Sequence, residues 1–132
     1  SDDIKEIVGV MRYILPLSDI KLLKEMKDKD QFEFIINFWS GNDPDTTTES
    51  NELLIEFKNR VKYVNLNFSD IERGWKSDKG RIYIIYGKPE KEEMYSSQSD
   101  GVYEIWTYPS GMKFTFLDRN RFGNFILIKQ SL

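Results

Sequence analysis

A change of apolar period partway along the chain constrains this fold more than any other feature of its sequence. Up to about residue 68 the apolar residues recur at helical spacing, and from residue 82 onward they gather in short β-branched and aromatic runs. Helices collected before strands predict an α+β domain rather than a doubly wound sheet. The whole chain, 132 residues, has the length of one domain, with a helical part at about 4–68, a turn at 73–81 and a sheet at about 82–128.

The helical half reads as four segments. Ile4, Ile7, Val8, Met11, Ile14 and Leu15 form the first, stopped by Pro16. Ser18 is a candidate N-cap for a second, with Ile20, Leu22, Leu23 and Met26. Asp28 followed by Gln31 makes a capping-box pattern that opens a third, whose Phe32, Ile35, Ile36 and Trp39 share a face while Phe34 and Phe38 fall on another. Turn formers fill residues 41–50, and a longer helix follows, marked by Leu53, Phe57, Val61, Val64 and Phe68. Glu56, Arg60, Tyr63 and Asn67 run along one flank of its stripe.

In the second half, Arg81 to Tyr86 (RIYIIY) has the composition of a central strand, ended by Gly87 and Pro89. Glu90 to Gly101 is polar and reads as a connection or hairpin loop. Val102 to Tyr108, Met112 to Leu117 and Phe125 to Ile128 are three further strands joined by short links. The expected topology is an antiparallel meander of about four strands packed on the long helix.

Composition excludes much chemistry. The chain has no Cys and no His, which removes disulfides, thiolate and imidazole metal sites, Cys nucleophiles and every imidazole acid or base. Nineteen basic against 22 acidic side chains leave a net charge of -3, the wrong sign for a broad nucleic-acid footprint. No apolar run approaches the length of a membrane span. Asp43, Asp45 and Glu49 lack the Gly and terminal Glu of a calcium loop, and Gly87-Lys88-Pro89 lacks the cradle of a P-loop. No residue is assigned a catalytic, metal or cofactor role.

Two acids stand out. Asp78 sits in Ser77-Asp78-Lys79-Gly80, which has the composition of a turn, and pairs in this reading with Arg60 or Arg81. Glu104 shares a strand face with Val102, Trp106 and Tyr108, so burial of that face requires a cation, for which Arg60, Arg73, Arg81 and Lys88 are the candidates. Trp75 is large enough to anchor the turn by burying its ring. The same two acids with Trp75, Trp106 and Tyr108 also suit a carbohydrate-active or sugar-binding site, if both carboxyls reach one cleft.

The segment Arg73-Gly74-Trp75-Lys76-Ser77-Asp78-Lys79-Gly80-Arg81, then Ile82 to Tyr86 and Gly87-Lys88-Pro89, resembles the GWxTD domain family. That family is named for Gly-Trp-any-Thr-Asp, followed closely by Gly-Arg, an apolar strand and Gly-x-Pro. The likeness continues at Tyr103-Glu104-Ile105-Trp106-Thr107-Tyr108-Pro109, Asp118 and Gly123, and upstream at Phe38-Trp39, Asp43-Pro44, Arg60 with Tyr63, and Phe68. It covers the chain from about Leu17 onward. Ser77 stands where the family has Thr, and keeps the hydroxyl. The family is bacterial, without an assigned function, and often ends longer chains that look exported. The resemblance therefore implies the C-terminal part of a periplasmic or cell-envelope protein, cut at its start. The expected function is a non-catalytic interaction or structural module for a protein partner or neighbouring domain, using aromatic faces of the third helix or the sheet. The carbohydrate site is the alternative.

Overall fold

A computed structural model of the chain describes residues 2–42, 51–69 and 72–132. They belong to two compact units, Ser1–Val61 and Lys62–Leu132. In the first lie α1 (Asp2–Met11), α2 (Leu17–Glu25), α3 (Asp28–Gly41) and the start of α4 (Glu52–Asn67). Val8, Met11, Leu15, Leu23, Ile35 and Trp39 form its core, with Phe34, Phe38, Leu54 and Phe57 packed against them. The helical stripes supply these residues only in part: Ile7, Leu22, Phe32, Ile36 and Leu53 of the same stripes are exposed, and Phe34 and Phe38, from the other face of α3, pack on the core.

The helix starts differ from expectation. Ser18 lies inside α2, whose cap position is Pro16; proline's fixed φ suits that position, and no side chain caps the helix. Asp28 is the first helical residue of α3 rather than its cap, which is Lys27. Gln31 does not close a box either: its amide donates to the carbonyl of Leu23 at 2.7 Å and so joins α3 to α2. At α4 the cap is Asn51, whose Oδ1 accepts from the Leu54 amide at 3.0 Å. The turn expected at 41–50 and the acids Asp43, Asp45 and Glu49 lie mostly or wholly outside the described residues, since α3 runs to Gly41 and 43–50 are not described.

The second unit begins with the end of α4, followed by a 3-10 turn (Gly74–Lys76) and α5 (Asp78–Tyr86). Then come β1 (Lys91–Ser97), β2 (Gly101–Thr107), β3 (Lys113–Asp118) and β4 (Ile126–Ser131). They form one antiparallel sheet with the strands in chain order. The fold class is α+β with a four-stranded antiparallel meander, but its first strand is not where the apolar run predicts. Arg81 to Tyr86 is helical, and the polar stretch read as a connection supplies β1.

This helix lies on the sheet. Ile82, Trp106, Tyr108, Phe114 and Phe116 are buried together, with Phe68 and Tyr83 packed against them. Tyr86 meets Phe114 at a ring separation of 5.0 Å. The end of α4 contributes Tyr63, stacked on Tyr83 at 4.5 Å. The covering helix is thus α5, flanked by the last turn of the long helix.

Register places Tyr95, Tyr103, Leu117 and Ile126 side by side on the opposite face. There Tyr95 donates to Glu93 and Tyr103 to Asp100, each at 2.7 Å. These bonds hold both phenols above the ordinary tyrosine range and both carboxylates below theirs. The tyrosine bonds are therefore present below the unfolded phenol value and lost as pH rises through the raised one; the carboxylates lose theirs as pH falls through the lowered one. In an ultraviolet titration Tyr95 and Tyr103 are expected to ionise later than ordinary tyrosines, and Glu93→Gln to return Tyr95 to the ordinary range. Titration of Tyr95 unaltered by that change would refute the pairing.

Candidate functional site

The motif is a corner at which three stretches of backbone touch. Ser77 caps α5: its hydroxyl accepts from the Gly80 amide at 2.9 Å and donates to the Gly74 carbonyl at 2.6 Å. A hydroxyl is what this position requires, and Ser serves as Thr does. Beneath it, the glycines permit contact that no side chain could survive. A Cβ on Gly74 would lie 1.8 Å from the Val64 carbonyl oxygen of α4, and one on Gly80 would lie 1.8 Å from the carbonyl oxygen of Gly74. Helix α4, the 3-10 turn and α5 therefore stack backbone on backbone.

Asp78, the first residue of α5, sits where a negative charge favours the helix dipole. Its Oδ2 accepts from the Leu127 amide at 2.7 Å, tying the helix to strand β4 across 49 residues of sequence. Its Oδ1 takes a bond of 3.3 Å from Arg81, one turn on. Of the two arginines proposed for Asp78, Arg81 is the one found there. Arg60 gives its Nε to Glu56 at 2.8 Å, an i,i+4 pair on α4. Near the Asp78 bond the pairing of β3 with β4 shifts register between Thr115 and Phe116, so the ladder is irregular where the carboxylate reaches it.

The cation on Glu104 is Lys79, which is none of the four basic residues proposed. Its Nζ lies 2.6 Å from Glu104 Oε2, and both side chains are largely buried. The ammonium also faces three rings, with centroids at 4.6 Å (Phe125), 4.9 Å (Phe68) and 5.7 Å (Trp106). Lys79 begins the stripe Lys79, Ile82, Tyr83, Tyr86, at steps of three, one and three along the face of α5 turned to the sheet. Reading 77–80 as a turn hides that alignment. The available signal was Ser77-Asp78, an N-cap followed by a first-turn acid.

Tyr108 donates from its hydroxyl to the Gly87 carbonyl at 2.8 Å, fastening the end of α5 to the sheet. Trp106 is only 1 % exposed. Its indole N–H finds no acceptor among the described residues, an omission that costs about 1–3 kcal/mol and is offset by the ring contacts. Neither ring is open to a sugar. Trp75 is half-buried, less than its size suggests, with its amide bonded to Asn65 Oδ1 at 3.0 Å and Lys76 over its ring. The corner thus brings together Ser77, Asp78, Arg81, Lys79 and Glu104, and closes Glu104 and Trp106 inside.

Beside it opens a cleft of about 810 Å³, walled by the residues around the start of α5 and by the link between β3 and β4. Asp118 lies on that wall, 3 % exposed. Its Oδ2 accepts from the Gly123 amide at 2.7 Å, while its buried Oδ1 has no partner among the described residues. Among those residues no cluster of acids is arranged to hold a metal ion, and no helix is long and apolar enough to cross a membrane. No curated protein and no solved structure matches the chain. The family model described as GWxTD domain matches residues 1–131.

Proposed function

The chain belongs to the GWxTD domain family, and from that premise we propose that it is a non-catalytic interaction module of an exported bacterial protein, docking a protein partner or neighbouring domain. One observation carries the reading: the polar groups of the motif are engaged inside the fold. Ser77 caps, Asp78 clips a strand and Lys79 neutralises Glu104, so the motif acts as a frame. Large apolar side chains reach solvent elsewhere. Phe32 and Ile36, one turn apart on α3, are 50 % and 48 % exposed. Large apolar side chains paired on one exposed helix face suit a docked protein surface.

Site-specific photocrosslinking in the bacterium that makes the protein tests this. A photoreactive residue in place of Ile36 is expected to give one discrete protein adduct, either with a partner or within its own longer chain. Phe32→Asp should abolish it. Absence of an adduct, or the same adduct from exposed Lys58, counts against docking through α3. Recovery of the protein in the cytosolic fraction counts against export.

A further inference from the structure

We infer that the cleft beside the motif binds a neutral saccharide. Charge balance favours a neutral ligand. Among the described residues, Glu72, Asp78 and Asp118 on its wall face Lys76, Lys79 and Arg119, three acids against three bases. A cationic ligand would meet Lys76 and Arg119; an anionic one would meet Glu72 and Asp78. A neutral ligand avoids both conflicts.

The uncharged wall then defines the chemistry. Asn67, Asn120 and Asn124 offer amides that both donate and accept, as vicinal hydroxyls require. Asp118 Oδ1 is a buried acceptor with no donor, and a ligand hydroxyl supplies the missing partner. The side chains that follow it, Arg119 and Asn120, are exposed. Phe122 is 84 % exposed on the same wall, a flat apolar face with nothing packed over it and the right shape for the C–H side of a sugar ring. An exposed ring, amides and an unsatisfied carboxylate oxygen around balanced charge are the parts of a saccharide subsite. This site uses neither Glu104 nor Trp106, and it stands independently of docking through α3.

The test is a nitrogen-15 amide-shift titration of the whole chain with cellotriose, maltotriose and N-acetylchitotriose, and separately with butylammonium and inorganic phosphate. At least one trisaccharide is expected to shift amides in 76–79 and 117–126, with a Kd of about 1 mM. Phe122→Ala should weaken that binding about tenfold with the remaining spectrum unchanged, since the ring is exposed; Asn120→Ala should weaken it in the same direction. No response to any trisaccharide overturns the inference, as do shifts outside these segments or undiminished binding by Phe122→Ala. So does a stronger response to butylammonium or phosphate.

Discussion

Gly80→Ala is expected to lower the free energy of unfolding by about 3 kcal/mol or more, because the new methyl would lie 1.8 Å from the carbonyl oxygen of Gly74. Helix propensity alone predicts the reverse, a gain of roughly 0.5–1 kcal/mol for replacing a helical glycine by alanine. The two effects differ in sign, so urea denaturation followed by circular dichroism decides between them. Gly74→Ala should be at least as damaging, since its methyl would strike the Val64 carbonyl and separate the turn from α4. A stability gain at either position would mean that the stacked backbones part easily and that the corner is not the anchor of this unit.

The second large effect is at the buried ion pair. Lys79→Met leaves Glu104 without its cation in a row of aromatic side chains and should cost about 3–5 kcal/mol; Glu104→Gln strands the ammonium at a similar cost. The double variant should lose no more than either single one, since two neutral side chains satisfy an apolar surround. Denaturation of all four proteins gives the coupling. Additive losses would show that the pair is not an energetic unit and that Lys79 acts through its contacts with Phe68, Trp106 and Phe125.

The outcome at α5 shows how far local composition carries. Helices in the first half follow from apolar recurrence at helical spacing, although α3 turns Phe34 and Phe38 to the core and leaves Phe32 and Ile36 exposed. Residues 81–86 carry no such recurrence: Ile82, Tyr83 and Tyr86 meet the sheet while Ile84 is buried too. Period cannot separate a short helix covered on several sides from a central strand. What decides is the Ser77 cap and the glycine contacts, which are tertiary. Strand β1 fails for the opposite reason, since Lys91 to Ser97 is exposed on both faces apart from Glu93 and Ser97 and has no apolar alternation to read. At the site, the need of Glu104 for a cation was legible in its aromatic row. Its partner was not, because Lys79 faces the sheet only once residues 78–86 coil. Asp118 entered only through the family likeness and not as a candidate site residue, and the place of Phe122 beside it comes from the cleft walled by the link between β3 and β4.

A meander with its strands in chain order has two outer strands, and each presents a row of backbone groups to which another chain could add. At one margin Asp78 already occupies the Leu127 amide, and the register shift beside it interrupts the regular ladder. At the other, Pro89 precedes a run of charge, Lys91-Glu92-Glu93, that an added strand would have to desolvate. The residue that fastens helix to sheet thus also removes one backbone donor to which a further strand could add.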